Sequence, residues 1–310
     1  MNPARRYGVL ALKGWAMGAA NIIPGVSGGT VAFITGIYEE LIHSIKSFDA
    51  TAVKLLFKGD LKGLIAHVNL PFLAAIFVGV AASLFSLAYL LEYLLTNYEL
   101  LTMAFFFGLI LASIYLVGKQ VKQWSGGAIV SLLIGIAIAV GIAFLKPASE
   151  NASFIYLIIC GIVAACSMIL PGLSGSYVLL IMGNYLLILN AVATLDIGTL
   201  APVGIGAVAG LVIFSNLLDF VFKKAHDATV ALLTGFVFGS LLIIWPWKNT
   251  LTEEVILEDG EVKLIEKGYE WLAPAMTVEF AAALGLIMAG GLAVILIERL
   301  GADKPDSAAA

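Results

Sequence analysis

NIIPGVSGGT (residues 21–30) and MILPGLSGSY (residues 168–177) are two versions of one phrase, each set inside a long apolar stretch. Proline offers no backbone N–H and pushes its predecessor out of the helical region, so Pro24-Gly25 and Pro171-Gly172 each end a helix. The serines that follow suit the N-cap of a new helix. At an offset of 147 the identities run beyond the phrase: Gly14 with Gly161, Ser27 with Ser174, Gly28 with Gly175, Gly36 with Gly183 and Tyr38 with Tyr185. Weaker echoes continue downstream. Pro71 and Gly79 share the spacing of Pro202 and Gly210, and AFFFGLILAS (104–113) resembles ALLTGFVFGS (231–240). A duplicated unit explains the pattern.

The 310 residues are 61% hydrophobic and 12% charged, with a mean hydropathy of +1.03. Soluble domains carry about 25% charged residues, so the expected class is an all-α polytopic membrane protein. A net charge of −4 on such a chain gives no reason to expect a nucleic-acid partner. The N-terminus has no apolar core with a cleavage site and reads as mature sequence. Cys160 and Cys166 fall in an apolar run with no metal-ligand spacing, so neither a metal site nor a disulfide is expected. No cofactor motif and no catalytic constellation stand out, and the chain is not read as an enzyme.

A span needs about 20 apolar residues. The first repeat, 1–150, offers spans at 70–91, 100–118 and 126–145. The second, 151–300, offers 197–218, 228–247 and 280–297. The phrases sit in hairpins at 8–44 and 154–190. The arms of the first, 8–22 and 30–44, at about 15 residues or roughly 22 Å each, are short for a core of about 30 Å, which suggests re-entrant hairpins. Whether the arms turn back or cross, each half makes an odd number of crossings, so the second repeat is expected to be inverted, as in many transporters. With the N-terminus inside, 13 of the 17 Lys and Arg fall on inner segments. Lys146, Lys248, Lys263 and Lys267 fall outside. The positive-inside rule then puts both termini in the cytoplasm, with residues 301–310 as a disordered cytoplasmic tail. VILEDGEVKLIE predicts a small extracellular β-hairpin over 253–268, turning at Asp259-Gly260. Residues 51–68 read as an amphipathic helix on the inner surface or as an ordinary connection.

Irregular backbone at membrane depth is tolerated where it is buried in protein or lines a cavity. A helix that restarts there points unpaired N–H groups and the positive end of its dipole at the break, which suits an anion. The candidate binding residues are Asn21, Pro24, Gly25, Ser27, Gly28, Gly29 and Thr30 in the first loop. In the second they are Pro171, Gly172, Ser174, Gly175, Ser176 and Tyr177. The first loop, with Asn21 and Thr30 opposite Met168 and Tyr177, is the richer in hydrogen-bonding groups. Glu39 and Glu40, two to three turns after the first break, are candidates for carrying a coupling proton. Leu186 and Leu187 replace them in the second copy. Arg5, Arg6 and Lys13 would line the inner mouth.

NIIPGVSGGT, followed by AFITGIYEELI and by MILPGLSGSYVLLIMGNY, resembles the bacterial polyprenyl-phosphate transporter family over nearly the whole chain. The resemblance implies a multi-pass protein of the bacterial plasma membrane. It also implies a partner lipid, undecaprenyl phosphate, returned from the outer to the inner leaflet so that the carrier of envelope polymers such as peptidoglycan is recycled. Membrane lipids are the other expected partners, and homo-oligomerisation is left open. Inward movement of an anion against an inside-negative potential costs about 2.3 kcal/mol per charge per 100 mV, which proton co-transport would offset. The alternative is a small-anion channel or transporter built on the same helix ends.

Overall fold

A computed structural model of the chain describes residues 3–22, 27–256 and 262–301. The first half of the chain contains α1 (Pro3–Ile22), α2 (Gly28–Ile34), α3 (Tyr38–Lys46), α4 (Ala50–Phe57), α5 (Leu61–His67), α6 (Leu70–Asn97), α7 (Glu99–Gly118) and α8 (Gly126–Ala143). The second contains α9 (Phe154–Ile169), α10 (Gly175–Ile181), α11 (Tyr185–Thr194), α12 (Ile197–Lys224), α13 (His226–Ser240), β1 (Lys248–Ile256), β2 (Val262–Trp271) and α14 (Val278–Gly301). Among the described residues five helices are long and apolar enough to cross a membrane: α6, α7, α8, α12 and α14. The chain is a helical, multi-pass membrane protein whose described strands form one two-stranded sheet.

Two expectations about the hairpin arms need correction. The first entering arm is longer than the 15 residues expected. α1 has 20 residues, about 30 Å of helix, whereas α9 has 16. The leaving arms are not single helices. Each breaks after seven residues, at Gly36 (φ +71°) and Gly183 (φ +76°), a left-handed conformation that glycine adopts without a Cβ penalty. The arm made by α10 and α11 bends by 120° at its break, and the region has the shape of a re-entrant pair. In the predicted segment 51–68, Gly59 (φ +71°) divides α4 from α5, and Asp49 and Asp60 cap the two pieces. No counterpart lies between α11 and α12.

The predicted span 228–247 corresponds to α13, which ends at Ser240, followed by turns that lead to β1 at Lys248. The predicted hairpin is longer than 253–268. Its ladder begins at Lys248↔Trp271 and runs to Ile256↔Val262, with a bulge after Leu251. The expected turn at Asp259-Gly260 lies outside the described residues, as does all of the tail except Gly301, which belongs to α14.

Four close helix pairs build the bundle, and glycine lets each one close. α1 crosses α6 with Gly14 against the Ile76 carbonyl and Gly79 against that of Ala11. α9 crosses α12 with Gly161 against the Val203 carbonyl and Gly206 against that of Ile158. α7 crosses α14 at Gly108 and Gly290, and α13 crosses α8 at Gly235 and Gly135. Small residues at membrane helix crossings let the backbones approach, which gives packing in a medium where the hydrophobic effect between helices is absent. The first two pairs each form within one half of the chain. The last two each join a helix from residues 1–150 to one from the second half, and Gly108 and Gly235 occupy matching positions in AFFFGLILAS and ALLTGFVFGS.

A smaller tie joins the same halves. Asp227, in the first turn of α13, accepts the backbone N–H groups of Lys122 (3.1 Å) and Gln123 (2.9 Å) between α7 and α8. These amides hold its carboxyl below the usual carboxylate range. A depressed folded-state pKa means that the stabilisation is present above the ordinary carboxylate pKa and lost as pH falls through the depressed one. Asp227→Ala is therefore expected to lower the melting temperature in detergent by a few degrees at neutral pH. The gap from wild type should narrow as the buffer is acidified.

Candidate functional site

The two loops meet. Thr30, 1% exposed, accepts the Gly172 N–H at 2.8 Å through its hydroxyl. Ser27 Oγ reaches the Met168 carbonyl at 3.5 Å. A Cβ on Gly29 would lie 2.6 Å from the Ile169 carbonyl, and one on Gly172 (φ +82°) 2.6 Å from the Phe236 carbonyl of α13. Glycine at these two positions lets the start of α2 press against the end of α9, and the second loop against α13. Pro24 and Gly25 lie outside the described residues. Pro171 is buried beside Gly172.

The loops share a backbone and differ in what their donors do. Ser27 and Ser174 are both extended N-caps, at φ −115°, ψ 139° and φ −104°, ψ 129°. In the first loop every early donor of α2 is used. Asn21 Oδ1 accepts the Gly28 N–H at 2.7 Å, and Ser27 Oγ accepts that of Gly29 at 3.1 Å. The Ser27 carbonyl accepts the N–H groups of Thr30 (2.9 Å) and Val31 (3.4 Å). In the second loop Met168 stands where Asn21 stands in the first, with its side chain over Gly175 as the Asn21 amide lies over Gly28. A thioether is a poor acceptor. The Gly175 and Ser176 N–H groups accordingly have no protein acceptor among the described residues. Ser174 makes no capping bond, and its hydroxyl lies 2.9 Å from that of Ser176.

Burial follows the same division. Ser27 and Gly28 to Phe33 are buried; in the second loop Pro171 to Leu173 and Gly175 are buried too, but Ser174 is half-buried and Ser176 exposed. Asn21 and Met168 are also uncovered by protein, Met168 at 60%. The richer loop in sequence has spent its hydrogen-bonding groups on structure, and the poorer one keeps the Gly175 and Ser176 N–H groups and a mutually bonded pair of hydroxyls without further protein partners among the described residues. Tyr177, next to Ser176, stacks on Tyr269 of the hairpin (centroids 6.4 Å apart) and donates to the Ala143 carbonyl at the end of α8 at 3.5 Å.

The charged candidates lie elsewhere. Glu39 pairs with His226 at 3.2 Å, and Glu40 with Arg6 at 3.3 Å and with the Asn69 amide at 3.1 Å. Both carboxylates are on α3, with 60% and 39% of their side chains exposed. Lys13 donates to the Thr35 carbonyl at 2.8 Å, closing the end of α2. Arg5 lies exposed in the first turns of α1. The sequence reading missed Asn184. Fully buried, it holds the second break by accepting the Asn151 N–H (3.0 Å) and donating to the Asn151 carbonyl (2.8 Å). Its signal was its place directly after Gly183, one of the matched glycines. Among the described residues no cluster of His, Cys, Asp and Glu is arranged to hold a metal ion.

The Thr30–Gly172 bond predicts a measurable cost. Thr30→Val keeps the shape but leaves a buried N–H unpaired, worth about 1–3 kcal/mol. The variant should melt several degrees below wild type, and Thr30→Ser should recover most of the difference.

Residues 17–262 match the model of the VCA0040-like family, described as undecaprenyl phosphate translocase-like. The polyprenyl-phosphate transporter of Vibrio cholerae is 40% identical over 256 residues, covering 83% of this chain and 83% of that protein. The polyprenyl-phosphate transporter of Staphylococcus aureus is 32% identical over 253 residues, covering 76% of this chain and 85% of that protein. No solved structure matches. With the match to the family model running through both loops and most of the bundle, the chain belongs to the VCA0040-like, undecaprenyl phosphate translocase-like family.

Proposed function

We propose that the protein moves undecaprenyl phosphate, or a close polyprenyl phosphate, from the outer to the inner leaflet of the bacterial plasma membrane, and that it performs no covalent chemistry on the lipid. The relatives from Vibrio cholerae and Staphylococcus aureus carry the name of polyprenyl-phosphate transporter, which supports the substrate class. The observation that carries the binding mode is the pair of N–H groups, of Gly175 and Ser176, without a protein acceptor among the described residues, beside the half-buried Ser174 and the exposed Ser176. The hydroxyls of Ser174 and Ser176, 2.9 Å apart, lie beside the N–H groups of Gly175 and Ser176 at the start of α10. A phosphate offers several acceptors and suits such a group. Ser27, Gly28, Gly29 and Thr30 then act mainly as the scaffold that sets the second loop, with Asn21 at its uncovered edge. Pro171 and Gly172 shape the turn.

In this reading the second repeat is inverted relative to the first, both termini are cytoplasmic, and the polyprenyl tail stays in lipid while the phosphate crosses. Glu39 and Glu40 reach the phosphate path only through α3, so any proton they carry acts on that helix. The matched helix crossings, within repeats for α1–α6 and α9–α12 and between repeats for α7–α14 and α13–α8, support a duplicated, two-part carrier.

The rival reading is a path for small anions past the same donors. Binding separates the two. In native mass spectrometry the purified chain should retain undecaprenyl phosphate and release undecaprenol, its phosphate-free counterpart, at lower collision energy. Equal retention of both would contradict a phosphate-directed site. Chloride or inorganic phosphate flux through liposomes bearing the chain would favour the rival.

A further inference from the structure

The two leaving arms match in sequence and are seated differently. α2 touches α7 and α9, and α3 lies across the second repeat on α12. The equivalent contacts of α10 and α11 with the first repeat are not made to comparable extent; those helices pack chiefly within their own repeat, on α9, α12 and each other. Tyr38 and Ile42 of α3 are 2% and 1% exposed, whereas Tyr185, the partner of Tyr38 in the duplication, is only half-buried, as are its neighbours through Asn190.

The α3–α12 seam has an apolar floor and a charged rim. Tyr38 packs on Phe33 and Phe222, with ring centroids 5.2 and 6.0 Å apart. On the rim, Asp219 of α12 takes Lys46 of α3 and Lys223 of its own helix, the latter at 2.9 Å, with His43 3.9 Å away. Glu39 pairs across the seam with His226 at the start of α13. One feature of the floor works against closure. The Tyr38 hydroxyl is fully buried and has no hydrogen-bond partner among the described residues. An unpaired buried hydroxyl raises the free energy of the closed seam, and water would satisfy it on opening.

We propose that the α3–α12 seam is the gate at the lysine-rich end of the carrier, shut in this state, and that α10–α11 is its counterpart, standing open. Lys46–Asp219 and Glu39–His226 latch the shut gate across the repeats, and the unpaired Tyr38 hydroxyl keeps it from being too stable to open. The other end state has α11 seated on α6 and α3 released, the exchange that two inverted halves permit. This proposal rests on the transport reading above. With the lysine-rich end inside, the state described is open outward, where the lipid would enter.

Two measurements on the full chain, in a background with Cys160→Ala and Cys166→Ala, test it. In liposomes, His43→Cys/Asp219→Cys, a pair 3.9 Å apart across the seam, joined by a short reducible bifunctional maleimide should stop movement of undecaprenyl phosphate between leaflets, and reduction should restore it. Movement at the unlinked rate would overturn the gate. The second measurement needs no substrate, so it survives a failure of the transport reading. Ile42→Cys, buried in the seam, should react slowly with a water-soluble maleimide. Adding Asp219→Asn should speed labelling at least fivefold, and adding Tyr38→Phe should slow it. Equal rates in all three backgrounds would show a static contact and overturn the proposal.

Discussion

Liposomes bearing the Ser174→Ala/Ser176→Ala variant should move undecaprenyl phosphate between leaflets at least tenfold more slowly than wild type at subsaturating lipid. The two hydroxyls lie 2.9 Å apart on an N-cap and first turn that make no other use of them. A hydrogen bond to a charged group contributes about 1.5–3 kcal/mol, and about 1.4 kcal/mol is a factor of ten, so losing even one of the two bonds gives about tenfold, the lower bound for the pair. The fold should tolerate the change, because Ser176 is exposed and Ser174 half-buried, and neither caps the helix through its side chain. Ser27→Ala should behave in the opposite manner. Ser27 is 3% exposed and accepts the Gly29 N–H, so its loss falls on the melting temperature first. A variant pair with these effects exchanged would place the phosphate at the first loop instead.

Gly235→Leu should leave little monodisperse protein after extraction. A Cβ at Gly235 would run into the Leu132 carbonyl and lie 3.0 Å from the Gly135 Cα and the Ile136 nitrogen. These are backbone atoms of α8, which move only if the helix moves. Overpacking a tight core costs about 1–3 kcal/mol for added methylenes, and here the overlap starts at the first carbon, so even Gly235→Ala should be poorly tolerated. Gly141→Ala, on the same helix pair but with open space at its Cβ, is the control. It should be neutral or slightly stabilising, since alanine favours a helix over glycine by about 0.5–1 kcal/mol. Size-exclusion profiles and detergent melting curves of the three variants check the prediction. Equal behaviour of Gly235→Ala and Gly141→Ala would contradict the packing account.

Much of this architecture was readable in the chain. Apolar length marked α6, α7, α8, α12 and α14, because a bilayer demands a minimum span. The matched phrases marked the two loops, because proline and glycine act on the backbone locally. The second break in each arm was less visible. Gly36 and Gly183 sit in apolar context with no proline beside them, and a single glycine is compatible with a continuing helix. Their matched positions were the available clue. The opposite fates of the two loops were not legible either. Asn21 and Thr30 looked like free ligand groups, yet each satisfies a backbone N–H, of Gly28 and Gly172, that becomes buried only in the folded bundle. Sequence shows which groups can form hydrogen bonds. Tertiary packing decides which of them have already found partners, and Met168 in place of Asn21 leaves the Gly175 N–H open.

Movement of labelled undecaprenyl phosphate, placed in one leaflet of sealed liposomes, tests the central claim most directly. With wild-type protein the lipid should leave that leaflet far faster than in protein-free vesicles, while chloride and inorganic phosphate stay where they are. Lipid that stays in place while a small anion crosses would contradict the account.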